Sequence, residues 1–319
     1  MADIEQGNQT SITEFILLGF EELVDLQIFL FLLFLVIYIV TVAGNILIVV
    51  LIVADQHLHT PMYLFLGNLS CLETCYTSTI LPRMLASFLT GDRTISFSGC
   101  IAQFYFFGFL VTVECYLLSA MSYDRYLAIC KPLNYAAIMN NAICSQLAAG
   151  SWLAGFLVSI IIIFLMSQLT FCGPSIIDHF FCDFTPIIKL SCSDTHVMEL
   201  VTSMLTFITT LPPFLLTLAT YVYIISTILR IPSTNGKQKA FSTCSSHLIV
   251  VTVFYGAIMI VYMLSASGMD LMMTVLYSVV PPTMNPVIYS LRNKEIKAAL
   301  RRLNVWTLFT KNNMFVFLP

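Results

Sequence analysis

Apolar residues in this chain are gathered into long, almost uncharged runs instead of being spaced as the one-sided stripes of a soluble core. A helix needs about 20 such residues to cross the hydrocarbon of a bilayer, and seven stretches reach that length. They predict helices near residues 28–53, 61–85, 97–124, 143–166, 197–229, 240–264 and 271–290. The fifth is long enough to run past the bilayer into water. Pro212 and Pro213 in the fifth span, and Pro281 and Pro282 in the seventh, predict kinks or local unwinding, which a bundle tolerates beside a cavity. The expected fold is an all-α membrane protein, a seven-transmembrane helix bundle over residues 28–290. A leading segment, 1–27, precedes it and a tail, 291–319, follows.

Composition strengthens this reading. Apolar residues make up 58% of the 319 and charged residues only 10%, against about 25% charge in a soluble domain. Mean hydropathy is +0.90. Charge placement then orients the bundle. The first 27 residues hold no Lys or Arg but include Asp3, Glu5, Glu14, Glu21, Glu22 and Asp25, so no cleavable signal peptide is expected there and the first span acts as its own signal. Of 14 basic residues, Arg83, Arg93 and Lys189 fall on one side and the other 11 on the opposite side, from Arg125 and Lys131 through Arg230, Lys237 and Lys239 to the C-terminal group. By the positive-inside rule the N-terminus is extracellular and the C-terminus cytoplasmic.

On the predicted outer side, Asn8-Gln9-Thr10 is a glycosylation acceptor, whereas Asn68-Leu69-Ser70 has the same pattern but lies inside a span. Cys172, Cys182 and Cys192 occupy the loop after the fourth span, and Cys100 opens the third. Four cysteines in an oxidising compartment imply two disulfides, with three possible pairings. The pairing expected is Cys100 with Cys182 and Cys172 with Cys192, which would draw the loop over the bundle as a lid. His179 and His196 lie nearby, but they do not complete a four-ligand zinc site, and no metal is expected.

Ionisable groups inside spans are costly and are functional candidates by default. Glu73 and Glu114 stand out, and with Asn45 and Asn285 they would form a buried polar cluster that shares a proton or holds a cation. The plainer alternative is a pair of neutral acids that hold helices together. Asp124 beside Arg125 at the inner end of the third span suits a switch in which outward motion of a neighbouring helix frees the guanidinium. No Ser-His-Asp set, metal-ligand motif or phosphate-binding glycine loop occurs where catalysis would be possible, so neither an enzyme nor a cofactor is expected. No internal repeat of the kind found in transporters is visible either, although the Glu73/Glu114 pair keeps an ion- or proton-coupled transporter open as the alternative.

Five separated blocks carry a resemblance to a known family. They are Gly44-Asn45; Leu58 to Tyr63 (LHTPMY); Met121 to Cys130 (MSYDRYLAIC); Lys239 to Leu248 (KAFSTCSSHL); and Asn285 to Asn293 (NPVIYSLRN). In this order the chain resembles the olfactory receptors of the rhodopsin-like G-protein-coupled receptor family over nearly its whole length. The Thr60-Pro61-Met62-Tyr63 and Pro132-Leu133-Asn134-Tyr135 forms look like the class associated with airborne odorants. Departures include Ser122, Leu127, Leu64 and Thr220, and Glu73 stands where Asp is usual.

The resemblance implies that Arg125 and Tyr221, with Asp124 and Tyr126, line a cytoplasmic cavity. It further implies that Asn285, Pro286 and Tyr289 form a switch in the seventh span and that Lys237 to Lys239 face a stimulatory heterotrimeric G protein. Ile296, Leu300 and Leu303 alternate with Lys294, Lys297, Arg301 and Arg302 at helical spacing, predicting an amphipathic helix on membrane lipid. Counting turns outward from Arg125 places Phe107, Gly108, Val111 and Thr112 on the inner face of the third span. To these are added Leu205, Thr206 and Thr209 from the fifth, Tyr255, Ile258, Met259 and Tyr262 from the sixth, and Val275 and Ser278 from the seventh. This set has hydroxyls and apolar surface but no charge, so the expected ligand is a small volatile odorant, mostly apolar, with one hydrogen-bonding group. Tyr255 is the residue expected to turn occupancy into helix motion. No nucleic-acid partner is expected.

Overall fold

The computed structural model describes residues 13–19, 25–172, 175–264, 270–293 and 295–302, with side chains at 260–264, 270–274, 276–277 and 290–292 left aside. Asn8, the Tyr262 side chain and the apolar tail beyond 302 therefore lie outside the described residues. Seven long helices form the bundle: α1 (Gln27–Ala54), α2 (Pro61–Thr90), α3 (Phe97–Cys130), α5 (Asn141–Met166), α7 (His196–Arg230), α8 (Thr234–Leu264) and α9 (Asp270–Arg292). Two short helices, α4 (Pro132–Ile138) and α6 (Phe184–Ile188), sit in connections, and residues 295–302 are helical after α9.

Local chemistry sets the helix ends. Thr60 is extended and Pro61 takes the first turn of α2, where its missing N–H costs nothing. That helix runs five residues past the expected end at 85, to Gly91, whose φ of 71° gives the left-handed stop that a side chain resists. Ser96 caps α3 by accepting from the Gly99 N–H at 3.1 Å, and Asn140 caps α5 through Ile143 N–H at 3.0 Å. Helix α3 continues to Cys130, six residues beyond the expected 124, before Pro132 begins α4. Helices α7 and α9 run without interruption through their internal prolines, so the unwinding expected there does not occur.

Helix α3 is the central post, touching α2, α4, α5, α7 and α8. Where α5 crosses it, a Cβ at Gly155 would fall 2.6 Å from Val113 Cγ2 and 2.8 Å from the Phe109 carbonyl oxygen, so only glycine permits the approach. Among the described residues, five helices, α1, α3, α5, α7 and the 234–259 part of α8, are long and apolar enough to cross a membrane, as in a multi-pass membrane protein. Helix α2 is less apolar because much of it faces the bundle instead of lipid, with Glu73, Ser70 and Thr77 among its buried residues.

One end of the bundle carries a small sheet that hydropathy did not predict. Strand β1 (Glu14–Leu17) lies between β2 (Thr94–Ser96), antiparallel, and β3 (Ile176–Ile177), parallel. Phe15 and Leu17 point inward and are buried, while Glu14 and Ile16 face out, the alternation of a half-buried strand. Both expected disulfides are formed there, Cys100–Cys182 and Cys172–Cys192.

Candidate functional site

Beneath the sheet, the loop between α5 and α7 is pulled onto the bundle as a lid. The Cys100–Cys182 bond holds it covalently, and Gln103 clamps it beside that bond by accepting from Cys182 N–H at 3.0 Å and donating to the Thr79 carbonyl at 2.9 Å. Phe181 of the lid packs on Phe107 of α3 at 4.9 Å, and Phe107 packs on Tyr76 of α2 at 5.4 Å, making an aromatic roof. Asp183 next to the bridge is buried in this lid. Burial pushes its carboxyl above the usual range, against the opposing hydrogen bond from Phe184 N–H.

Under the roof lies a narrow cavity of about 10 Å³, room for a single water, lined by Tyr76, Val111, Glu114, Phe254, Ile258, Pro281 and Pro282. Of the residues proposed from sequence to contact ligand, Val111 and Ile258 line it. Phe107 sits in the roof, and Tyr255 is buried against Phe214 at 5.0 Å with its hydroxyl 3.5 Å from the Cys115 carbonyl. The hydroxyls of Thr112, Thr209 and Ser278 donate within their own helices, to the carbonyls of Gly108, Leu205 and Val275 at 2.9, 2.8 and 3.4 Å. Gly108, Leu205, Thr206 and Val275 are half-buried, and Met259 is 47% exposed on the outside of the bundle.

One turn further in, the polar cluster is assembled. Asn285 of α9 donates to Glu73 of α2, and Asn45 of α1 approaches the same carboxyl without a formed hydrogen bond. Glu114 of α3 is the second acid buried in this part of the bundle. All four side chains are buried, and Glu73 Oε2, Glu114 Oε1 and Asn285 Oδ1 have no hydrogen-bond partner among the described residues. Among those residues no group of three or more His, Cys, Asp or Glu could hold a metal ion.

At the opposite end, Asp124 is fully buried and pairs with Arg125, which is 11% exposed. Tyr135 of α4 donates to the other Asp124 oxygen at 2.8 Å. Two contacts here were not foreseen as site features. The Tyr221 hydroxyl of α7 meets Nδ1 of His247 of α8 at 2.6 Å, with both residues buried and their rings stacked. His247 stands in the quoted Lys239 to Leu248 block, yet only the fold reveals its partner. Tyr63 donates to Asn293 at 3.1 Å, and Asn293 caps the 295–302 helix by accepting from the Glu295 and Ile296 N–H groups. Tyr289 and Pro286 are buried, and Pro286 presses on Gly44, where a Cβ would lie 3.0 Å from its ring. Tyr126 packs sideways on Tyr223 of α7 at 6.0 Å, and Lys239 is exposed.

Comparison with known proteins gives this arrangement its family. The olfactory receptor family model matches residues 34–306. The chain is 48% identical to olfactory receptor 6B1 of Homo sapiens over 304 residues, covering 94% of this chain and 97% of that one. The chain belongs to the olfactory receptor family. It is also 47% identical to olfactory receptor 5A1 of Homo sapiens over 319 residues, covering 99% and 100% of the two chains. In three dimensions the receptor matches the crystal structure of squid rhodopsin with a TM-score of 0.67 at 16% identity, over 89% of this chain and 87% of that one, which places it on the same fold. The matched family is one of receptors, and the transporter alternative finds no support in these matches.

Proposed function

We propose that this receptor binds a small, mostly apolar volatile odorant beneath the disulfide-held lid and activates a stimulatory, olfactory-type heterotrimeric G protein, raising cyclic AMP. The carrying observation is Arg125, held by Asp124 at the mouth of the bundle while Tyr135 braces the same carboxylate. A buried arginine tied to one acid can be released when α8 moves away from α3, and its fork of donors then faces an incoming partner. Tyr221, Tyr289, Asn285 and Pro286 stand along that route, and Lys239 lies on the exposed start of α8. Charge asymmetry supports an extracellular N-terminus and a cytoplasmic Arg125 end in the plasma membrane of sensory cilia, with Asn8 glycosylated outside.

The test is cyclic AMP in cells co-expressing the receptor with the olfactory stimulatory G protein, challenged by volatile alcohols, aldehydes, ketones, esters and acids. A ligand-dependent rise that disappears in Arg125→Ala is expected. Silence with verified surface expression, or ion flux without odorant, would overturn the reading.

A further inference from the structure

Tyr63, in the first turn of α2, is buried, and its hydroxyl donates to Asn293 Oδ1 at 3.1 Å. The same oxygen accepts from the Glu295 and Ile296 N–H groups at 3.0 and 3.3 Å, which caps the 295–302 helix. Three donors thus converge on an acceptor with two lone pairs. Asn293 also closes the end of α9, where its N–H donates to the Tyr289 carbonyl one turn back at 3.1 Å. Tyr289 is 1% exposed, and its Oη has no hydrogen-bond partner among the described residues. A buried hydroxyl left in that condition is costly, and shifting its turn of helix towards a partner would lower the cost. Tyr63 opposes the shift, because α2 packs on both α1 and α3, with Met62, Phe65 and Leu66 buried beside it.

We infer, resting on the G-protein reading above, that Tyr63 is a positioning residue for coupling. Its bond to Asn293 latches the turn that carries Tyr289 in the resting form, in which the Asp124–Arg125 pair is also closed. Opening the latch lets the end of α9 and the 295–302 helix leave α2 together. A contact made in one state and lost in the other biases the equilibrium by its own free energy. Tyr63→Phe removes only the hydroxyl and keeps the ring in the core. Asn293 still caps the 295–302 helix in that variant, so no acceptor is orphaned.

The test is basal cyclic AMP in cells co-expressing the full receptor with the olfactory stimulatory G protein, normalised to surface staining. Tyr63→Phe should raise it about fivefold, the bias expected of one hydrogen bond. Arg125→Ala in the same chain should cancel that rise. Asn293→Ser keeps a cap for the 295–302 helix but is one atom shorter, so it withdraws the acceptor from Tyr63 and should raise the basal signal equally. Tyr63→Phe and Asn293→Ser together should give no more than either alone, because both open one bond. A basal signal unchanged or lowered in Tyr63→Phe, or rises that multiply in the double variant, would overturn the latch. Should Tyr63→Phe not reach the surface, Asn293→Ser decides alone, a rise supporting the latch and its absence sinking it. Where the latch fails but the wild type answers the volatile panel, the G-protein reading stands; a surface-expressed wild type that ignores the panel takes both down.

Discussion

The two ends of the bundle are built from different kinds of bond. At the lid end, two disulfides, a three-stranded sheet and the Gln103 clamp bind the chain start, the α2–α3 connection and the α5–α7 loop into one unit. At the Arg125 end no disulfide or strand pairing occurs among the described residues, and the links between elements include hydrogen bonds and ion pairs of side chains: Asp124 with Tyr135, Tyr221 with His247, Tyr63 with Asn293, and Asp55 with Arg302 at 2.8 Å. Among the described residues, buried polar atoms without partners occur at that end, His247 Nε2 and Tyr289 Oη, and in the acid cluster, apart from Ser159 and Thr202. Covalent and ladder bonds do not exchange on a signalling timescale, whereas side-chain bonds can be traded for those of a partner. A fixed end above a site and an exchangeable end below it is the arrangement a ligand-driven switch needs.

That contrast can be broken most severely at the fixed end. Cys182→Ser should abolish surface expression, because losing a native disulfide costs about 2–5 kcal/mol, a large part of the stability of a folded domain. Staining of intact against permeabilised cells measures this. Next, Arg125→Ala should remove odorant-evoked cyclic AMP while surface staining stays near wild type, since among the described residues its side-chain hydrogen bonds go to the adjacent Asp124 of the same helix. Tyr135→Phe should act in the opposite direction. It leaves the ring, removes one hydrogen bond to Asp124 worth about 1 kcal/mol, and should raise basal cyclic AMP roughly fivefold. A fall in basal signal would show that Tyr135 supports the active form instead.

The smallest effect belongs to Arg302→Ala. Its partner Asp55 is pushed up by partial desolvation, but the His57 side-chain and backbone hydrogen bonds and the Arg302 pair outweigh this and bring the carboxyl down to about 2. A depressed carboxylate adds stability that is present above its unfolded value and lost only as pH falls towards the folded one. The Asp55 carboxyl should therefore stay ionised and keep its hold on Arg302 between about pH 5 and 8. Exposed ion pairs contribute little, so coupling efficiency should fall less than about threefold. A change in that efficiency across this pH range would assign the effect to another group.

Much of this was legible in the sequence, for reasons that differ by region. The seven long helices follow from runs of apolar residues that need no knowledge of their neighbours, and only their ends moved, to Gly91 and to Pro132, where backbone chemistry decides, and at the start of α8 from 240 to Thr234. The Asp124–Arg125 pair was legible because its members are adjacent. The Glu73 cluster was legible because a buried acid is conspicuous wherever it falls. The sheet was not, since Glu14–Leu17 is four residues long and its partners lie about 80 and 160 positions away, with no turn to announce the pairing. For the same reason Tyr221–His247 and Asp55–Arg302 needed the fold. The prolines of α7 and α9 leave their helices continuous because each removes one backbone donor without obliging the rest of the helix to open.

The position of β1 in that sheet bears on how the receptor is handled in the laboratory. As the middle strand it has a neighbour on each side, so a truncation that starts after Leu17 would strip hydrogen-bond partners from β2 and β3 together and leave both as bare edges. A purification or surface-labelling tag belongs before Thr13, where it lengthens the chain ahead of the strand and leaves all three pairings to form.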